Sequence, residues 1–76
     1  MIEKELKKIG FRGQDDGSYI TYSPFGKASG FNDPKWRMWY NGVVEKIESL
    51  ELAANCFIEI FSYSNDGCVE IVIQED

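Results

Sequence analysis

The polar residues between positions 49 and 62 follow a helical spacing within an otherwise apolar segment. They are separated by four, four and three positions, which would place them on one side of a helix: Glu51, Asn55, Glu59 and Ser62. The apolar residues would then form its buried face: Leu50, Ala53, Ala54, Phe57 and Phe61. The pattern predicts a main helix over residues 49–62, with Ser49 as its N-cap.

An alternating pattern follows this segment. Val69, Ile71 and Ile73 are separated by single residues, which is typical of a strand with one buried face. The turn-forming residues 65–67, Asn-Asp-Gly, precede it. The sequence therefore predicts a turn and then a final strand over residues 68–74.

The first 22 residues predict a helix and a hairpin. Ile2, Leu6 and Ile9 recur at intervals of four and three, and Gly10 is suited to ending such a helix. Residues 11–14 and 18–22 then flank an Asp-Asp-Gly turn, which predicts two antiparallel strands.

Residues 24–34 contain two prolines and two glycines and predict a loop, whose Phe25 and Phe31 we expect to pack on the core. Asn41-Gly42 is a strong hairpin turn, so residues 35–40 and 43–48 are interpreted as paired strands. One strand face would be apolar, and the other would expose Trp39 between Arg37 and Lys46. A helix from 42 to 62 is the alternative, because its apolar residues also keep a heptad spacing.

Together these elements predict a small α+β domain spanning residues 1–76, in the order α-β-β-loop-β-β-α-β. We expect a twisted, mainly antiparallel sheet with one main helix packed across it. A chain of 76 residues is near the lower size limit for an independent core, and its hydrophobic fraction of 43% is high enough to form one.

Composition argues against several function classes. The chain has no histidine and only two cysteines, Cys56 and Cys68, so the usual ligands of a zinc site are missing. No paired acid-base or phosphate-binding motif is present, and we expect neither catalysis nor a cofactor. No segment approaches the roughly 20 apolar residues of a membrane span. We therefore expect a cytoplasmic protein that does not bind a membrane.

The acidic residues are concentrated in the last third of the chain. Residues 48–76 contain seven acidic residues and no lysine or arginine, within a net charge of −5 for the whole chain. Such a segment is unsuited to binding nucleic acid directly but suited to a basic protein surface. The predicted partner-binding face consists of these acids: Glu48, Glu51, Glu59, Asp66, Glu70, Glu75 and Asp76.

These observations favour a small acidic inhibitor that docks on the basic surface of a nucleic-acid-binding enzyme. Phage anti-CRISPR proteins and bacteriocin immunity proteins are similar to this chain in size and charge, although no sequence motif carries that similarity. One alternative is a nucleotide-like ligand held by an aromatic and basic patch: Phe31, Arg37, Trp39 and Lys46. Another is a homodimer or larger homo-oligomer with a structural or adaptor role.

Overall fold

The computed structural model describes residues 2–75, which form two α-helices and one four-stranded antiparallel sheet. In chain order the elements are α1 (Ile2–Ile9), β1 (Arg12–Gly13), β2 (Tyr19–Tyr22), α2 (Pro34–Glu48), β3 (Cys56–Tyr63) and β4 (Cys68–Glu75). The strands lie in the order β1-β2-β4-β3, and a single 3₁₀ turn, Ser64–Asp66, joins β3 to β4. The α+β class is confirmed, but the predicted order of elements is wrong.

The first helix, the first hairpin and the last strand agree with the sequence predictions. Gly10 ends α1 with a φ of 114°, a conformation that favours glycine. β1 pairs with β2 across the predicted turn, with Arg12 opposite Ile20. β4 places Val69 and Ile71 in the core with no exposed surface.

The predicted hairpin about Asn41-Gly42 is wrong, because residues 34–48 form one continuous helix, α2. Asp33 is its N-cap, and its carboxylate accepts hydrogen bonds from the backbone amides of Lys35 and Trp36. Pro34 occupies the first helical position, where its missing N–H costs nothing. The helix buries Trp36, Val43 and Ile47, and their shared burial offsets the low helix propensity of Gly42.

The predicted main helix over residues 49–62 is also wrong. Ser49 is the C-cap of α2, residues 51–55 form a connection, and β3 begins at Cys56. The alternative helix from 42 to 62 fails for the same reason. The residues expected to form its deepest face are largely exposed: Phe57 and Phe61 retain 44% and 40% of their accessible surface, and Ala54 is exposed.

The core lies between the two helices and one face of the sheet. Its buried members come from α1, α2, β4 and the segment between α1 and β1: Leu6, Phe11, Trp36, Val43, Ile47, Val69 and Ile71. Half-buried side chains of β3, including Ile58 and Ile60, complete it. In the loop of residues 24–33, Phe25 and Phe31 retain 49% and 43% of their accessible surface. The prediction that both are buried against the core is therefore wrong.

The N-cap of α2 supports a prediction about stability. Replacing Asp33 with alanine should lower the free energy of unfolding by about 1 kcal/mol, because two amides of the first turn lose their acceptor. Asp33→Asn should retain most of the stability at neutral pH, since asparagine caps helices about as well. Chemical denaturation of the three proteins measures both differences.

The same cap predicts a pH dependence. Hydrogen bonds from the backbone amides of Ser29, Trp36 and Lys35 hold the pKa of Asp33 below its ordinary value. The stabilisation by the ionised carboxylate is therefore present above roughly pH 4 and is lost as the pH falls through this lowered pKa. The stability difference between wild type and Asp33→Ala should shrink in acid. The stability difference between Asp33→Asn and Asp33→Ala should stay the same in acid, because asparagine does not titrate. If both stability differences shrink equally, the ionised Asp33 carboxylate is not the cause.

Candidate functional site

The register of the β3–β4 hairpin decides which side chains share a face of the sheet. Ile58 lies opposite Ile73 and Ile60 lies opposite Ile71, and all four belong to or pack against the core cluster that includes the buried residues of both helices. Because successive residues of a strand point to opposite faces, the intervening residues point away from the helices. The sheet therefore has an inner face against the helices and an outer face over which the described residues, 2–75, form no second layer.

The outer face carries a group of exposed aromatic and acidic residues. We call this group the open face and define it by six residues of β2, β3 and β4: Tyr22, Phe57, Glu59, Phe61, Tyr63 and Glu70. Its four aromatic side chains retain between 40% and 55% of their accessible surface. Large exposed aromatic side chains grouped on one surface are typical of binding sites.

Cross-strand pairing brings these residues into rows. Phe61 lies opposite Glu70, which in turn lies opposite Ile20 on β2. Tyr63 and Tyr22 lie on either side of Cys68. Residues paired in this way have side chains within contact distance, so the aromatic and acidic groups form one continuous surface.

Both carboxylates of the open face are held by neutral donors. The Gln74 side-chain amide donates to Glu59 Oε1 over 2.7 Å, and the Gln14 side-chain amide donates to Glu70 Oε2 over 2.5 Å. Gln14 also donates to the hydroxyl oxygen of Ser18 over 2.8 Å. The amides fix the positions of the carboxylates without placing a positive charge beside them.

In the part of the chain that the structure describes, no basic side chain forms an ion pair with the carboxylates of the open face. Among residues 2–75 the one ion pair joins Lys8 and Glu5, which lie on α1. Arg12 of β1 is the nearest basic residue along the sheet, and its guanidinium lies 5.7 Å from the centre of the Tyr22 ring. Arg12 therefore flanks the open face on the β1 side. The charged residues of β3 and β4 are all acidic.

Two titratable groups at the turn end of the β3–β4 hairpin, the Tyr63 phenol and the Cys68 thiol, are kept neutral. Partial burial and the nearby Glu70 carboxylate raise the pKa of the Tyr63 phenol above its ordinary value. Burial, followed by the charges of Asp66 and Glu70, raises the pKa of the Cys68 thiol. Tyr63 is thus a neutral donor at physiological pH, and Cys68 is unsuited to act as a nucleophile. The hairpin register places Cys56 and Cys68 at its opposite ends, and both are free thiols.

The structure separates the other predicted acidic residues. Asp66 lies in the 3₁₀ turn at one end of the β3–β4 hairpin. Glu75 lies at the other end, where its Oε1 accepts a hydrogen bond from Asn55 over 3.3 Å. Glu48 is the last residue of α2, and Asp76 is outside the described residues. The predicted single face is therefore reduced to Glu59 and Glu70, with Asp66 beside them.

Glu51 does not lie with Glu59 on one solvent-facing side of a helix, although the sequence pattern predicts that arrangement. It lies in the connection between α2 and β3 and lines a groove of about 520 Å³ with Ile2, Glu5, Ser49 and Leu50. This groove is formed by α1 and the end of α2, whereas Glu59 lies on the sheet.

The predicted aromatic and basic patch is only partly assembled. The Arg37 guanidinium lies 4.9 Å from the centre of the Phe31 ring, and Phe31 meets Tyr40 edge-on at 5.5 Å. Trp39 is half-buried instead of exposed, and the centre of its ring lies 5.3 Å from the centre of the Trp36 ring. Lys46 is exposed in the last turn of α2, more than two turns further along the helix than Arg37. The four residues therefore do not form one patch around an exposed indole.

The aromatic residues of the open face do not follow from the helical spacing of residues 49–62, which places Phe57 and Phe61 in a helix core and says nothing of Tyr22 or Tyr63. One signal was present. Residues 56–63 are rich in aromatic and β-branched residues and lie across an Asn-Asp-Gly turn from a second such run. That combination is typical of a hairpin.

Neither of the two helices within residues 2–75 is long and apolar enough to cross a membrane. No protein-family model matches the chain, and no curated protein or solved structure is significantly similar to it.

Proposed function

We propose that this protein is a binding module that docks its open face on a basic surface of a partner protein and thereby inhibits it. The observation that carries this proposal is the arrangement of the open face itself. Four partly exposed aromatic side chains surround two carboxylates that no basic residue neutralises among residues 2–75. The partner we infer is a nucleic-acid-binding enzyme, as for inhibitors of the anti-CRISPR or immunity-protein type.

The aromatic side chains supply the apolar part of such an interface. Phe57 and Phe61 lie on the same strand and the same face, and Tyr63 follows them. Aromatic side chains dominate the binding energy of protein interfaces because they bury a large area with few rotatable bonds. The central position of Phe61, opposite Glu70, favours it as the principal contact.

The carboxylates supply direction and specificity. β3, β4 and the turn between them carry Glu59, Asp66, Glu70 and Glu75 and no basic residue. This uncompensated charge would steer the protein towards a basic surface and repel nucleic acid. A basic surface that binds nucleic acid is a suitable target, because occupying it excludes the natural ligand.

Affinity capture with matched variants tests the proposal. The wild-type protein, Glu59→Lys and Phe61→Ser serve as baits in an extract of the source cells, with Glu45→Lys as the control. Glu45 is exposed on α2, so its reversal changes the net charge by the same amount on another element. We expect one basic protein to bind wild type and Glu45→Lys and to bind both open-face variants at least tenfold more weakly, because interface truncations of this kind cost over 1.4 kcal/mol.

Competition then tests the inhibitory mechanism. Addition of a double-stranded oligonucleotide should release the captured protein from the wild-type bait, because both ligands need the same basic surface. Increasing salt should weaken the complex by slowing association. A partner that binds Glu59→Lys and Phe61→Ser as tightly as wild type would show that the interface lies elsewhere. A partner unaffected by the oligonucleotide would refute the inhibitory mechanism.

A further inference from the structure

β3 is a long strand at the edge of the sheet. It contains eight residues and pairs with β4 on one side, and within residues 2–75 no other strand pairs with it. At about 3.3 Å per residue, this edge is roughly 26 Å long. The opposite edge is different, because β1 contains only Arg12 and Gly13.

The β3 edge lacks most of the features by which proteins prevent unwanted strand pairing. Exposed edges usually carry charged side chains, especially lysine, a proline or a β-bulge. β3 has the sequence Cys-Phe-Ile-Glu-Ile-Phe-Ser-Tyr, in which Glu59 is the one charged residue and proline and lysine are absent. Its register with β4 is regular from Cys56 opposite Glu75 to Tyr63 opposite Cys68, so no bulge interrupts it. The backbone of β3 is therefore available to a further strand.

We propose that an extended segment of the partner adds to β3 as a fifth strand, and that this segment carries lysine or arginine on its outer-face side. This inference rests on the proposed function and specifies how the partner is recognised. Backbone hydrogen bonds along the edge would provide affinity, and the side chains of alternate residues would provide selectivity.

The chemistry of the segment follows from the two faces of β3. On the outer face the side chains of the segment would lie beside Phe57, Glu59 and Phe61. A lysine or arginine there can place its charged group at the Glu59 carboxylate and its methylene groups over the aromatic rings. On the inner face its side chains would meet the half-buried Ile58 and Ile60 and should be apolar. The segment should therefore alternate basic and apolar residues.

Charge also distinguishes this occupant from a second copy of the chain. Pairing two β3 edges would bring together two hairpins that each carry four acidic residues and no basic one between positions 56 and 75. Like charges across a sheet are destabilising, whereas a basic segment would be attracted.

A designed peptide tests the inference without an identified partner. The probe is an acetylated and amidated eight-residue peptide in which lysine and valine alternate, and the control replaces each lysine with glutamate. Amide hydrogen exchange of the ¹⁵N-labelled protein is followed by NMR. The lysine peptide should slow exchange at least tenfold at alternate amides of residues 57–63, those not bonded to β4. Glu59→Lys should weaken its binding about fivefold, the loss of one cross-strand charge pair.

The contrary outcomes are distinct. Binding that perturbs the open-face side chains without alternate amide protection would overturn strand addition while leaving open-face docking intact. Failure of the lysine peptide to bind, or equal binding of the glutamate peptide, would also overturn it. Protection of the same amides in the free protein, with a dimer in analytical ultracentrifugation, would assign the edge to a second copy. The proposed function fails separately, if Glu59→Lys and Phe61→Ser leave partner capture unchanged.

Discussion

Replacing Trp36 with alanine is expected to destabilise the protein severely, whereas replacing Phe57 with alanine is expected to have a small effect. Trp36 is only 1% exposed and is the largest fully buried side chain among residues 2–75. It packs beside Trp39 and Tyr40, with ring centres 5.3 and 5.9 Å away. Truncating such a residue costs about 3–5 kcal/mol. A domain of this length has a total stability of roughly 4–11 kcal/mol, so the truncation removes a large part of it.

Phe57 is the matched comparison because it is an aromatic residue on the outer face with 44% of its surface exposed. Its truncation should cost no more than about 1 kcal/mol, although the predicted helix would have made it a core residue. Thermal unfolding followed by circular dichroism measures both variants. A cooperative Trp36→Ala transition near the wild-type midpoint would contradict the core described above, as would an unfolded Phe57→Ala.

Trp36→Phe provides a finer test of the same site. The indole Nε1 of Trp36 is buried and has no hydrogen-bond partner among the described residues. An unsatisfied buried donor costs about 1–3 kcal/mol, and phenylalanine removes that donor while keeping most of the ring. Trp36→Phe should therefore be far more stable than Trp36→Ala.

Alanine at position 67 is expected to destabilise the protein strongly, whereas alanine at position 42 should stabilise it. Gly67 has a φ of 69°, and a Cβ there would lie 2.5 Å from the backbone oxygen of Gly26. That contact involves backbone on both sides, so no flexible side chain can move away. The left-handed conformation alone costs about 1–2 kcal/mol for other residues, and the clash adds to it.

The absence of a side chain at Gly67 lets residues 23–28 lie directly against the β3–β4 turn, where two backbone hydrogen bonds hold them. The Ser23 amide donates to the Gly67 carbonyl over 2.7 Å, and the Ala28 amide donates to the Ser64 carbonyl over 3.0 Å. A side chain at position 67 would separate these two segments. Hydrogen exchange at the amides of Ser23 and Ala28 should therefore accelerate in Gly67→Ala.

Gly42 provides the opposite result because it lies inside α2, where a Cβ would have no neighbouring atom within 4 Å. Replacing an interior helical glycine with alanine contributes about 0.5–1 kcal/mol of stability. A hairpin turn at this position would have required glycine instead. A lower melting temperature for Gly42→Ala, or an unchanged one for Gly67→Ala, would refute these assignments.

Local sequence signals determined the elements whose stabilising features lie within a few residues. α1 follows from the spacing of Ile2, Leu6 and Ile9 together with Gly10, and the first hairpin follows from its Asp-Asp-Gly turn. β4 follows from its own alternation. In each case the period of the pattern fits one type of structure only, so the local signal was sufficient.

The tertiary structure decided the two segments whose local signals were ambiguous. Residues 56–63 are apolar or aromatic except at Glu59 and Ser62, and so few polar positions do not distinguish a helical from a strand period. Pairing with β4 along eight residues resolves that ambiguity, and it turns Phe57 and Phe61 outward. The exposed aromatic residues of the open face could not be predicted without this register.

For residues 34–48, the Asn41-Gly42 pair favoured a turn, while Asp33 and Pro34 favoured the start of a helix. The helix buries Trp36, Val43 and Ile47 in one cluster with Val69 and Ile71. That apolar burial outweighs the cost of one interior glycine, which is about 1 kcal/mol. The sequence by itself determined the α+β class, the terminal elements and the acidic excess of the last third. Long-range packing decided the nature of both central segments, and with it the face on which that acidic charge meets exposed aromatic side chains.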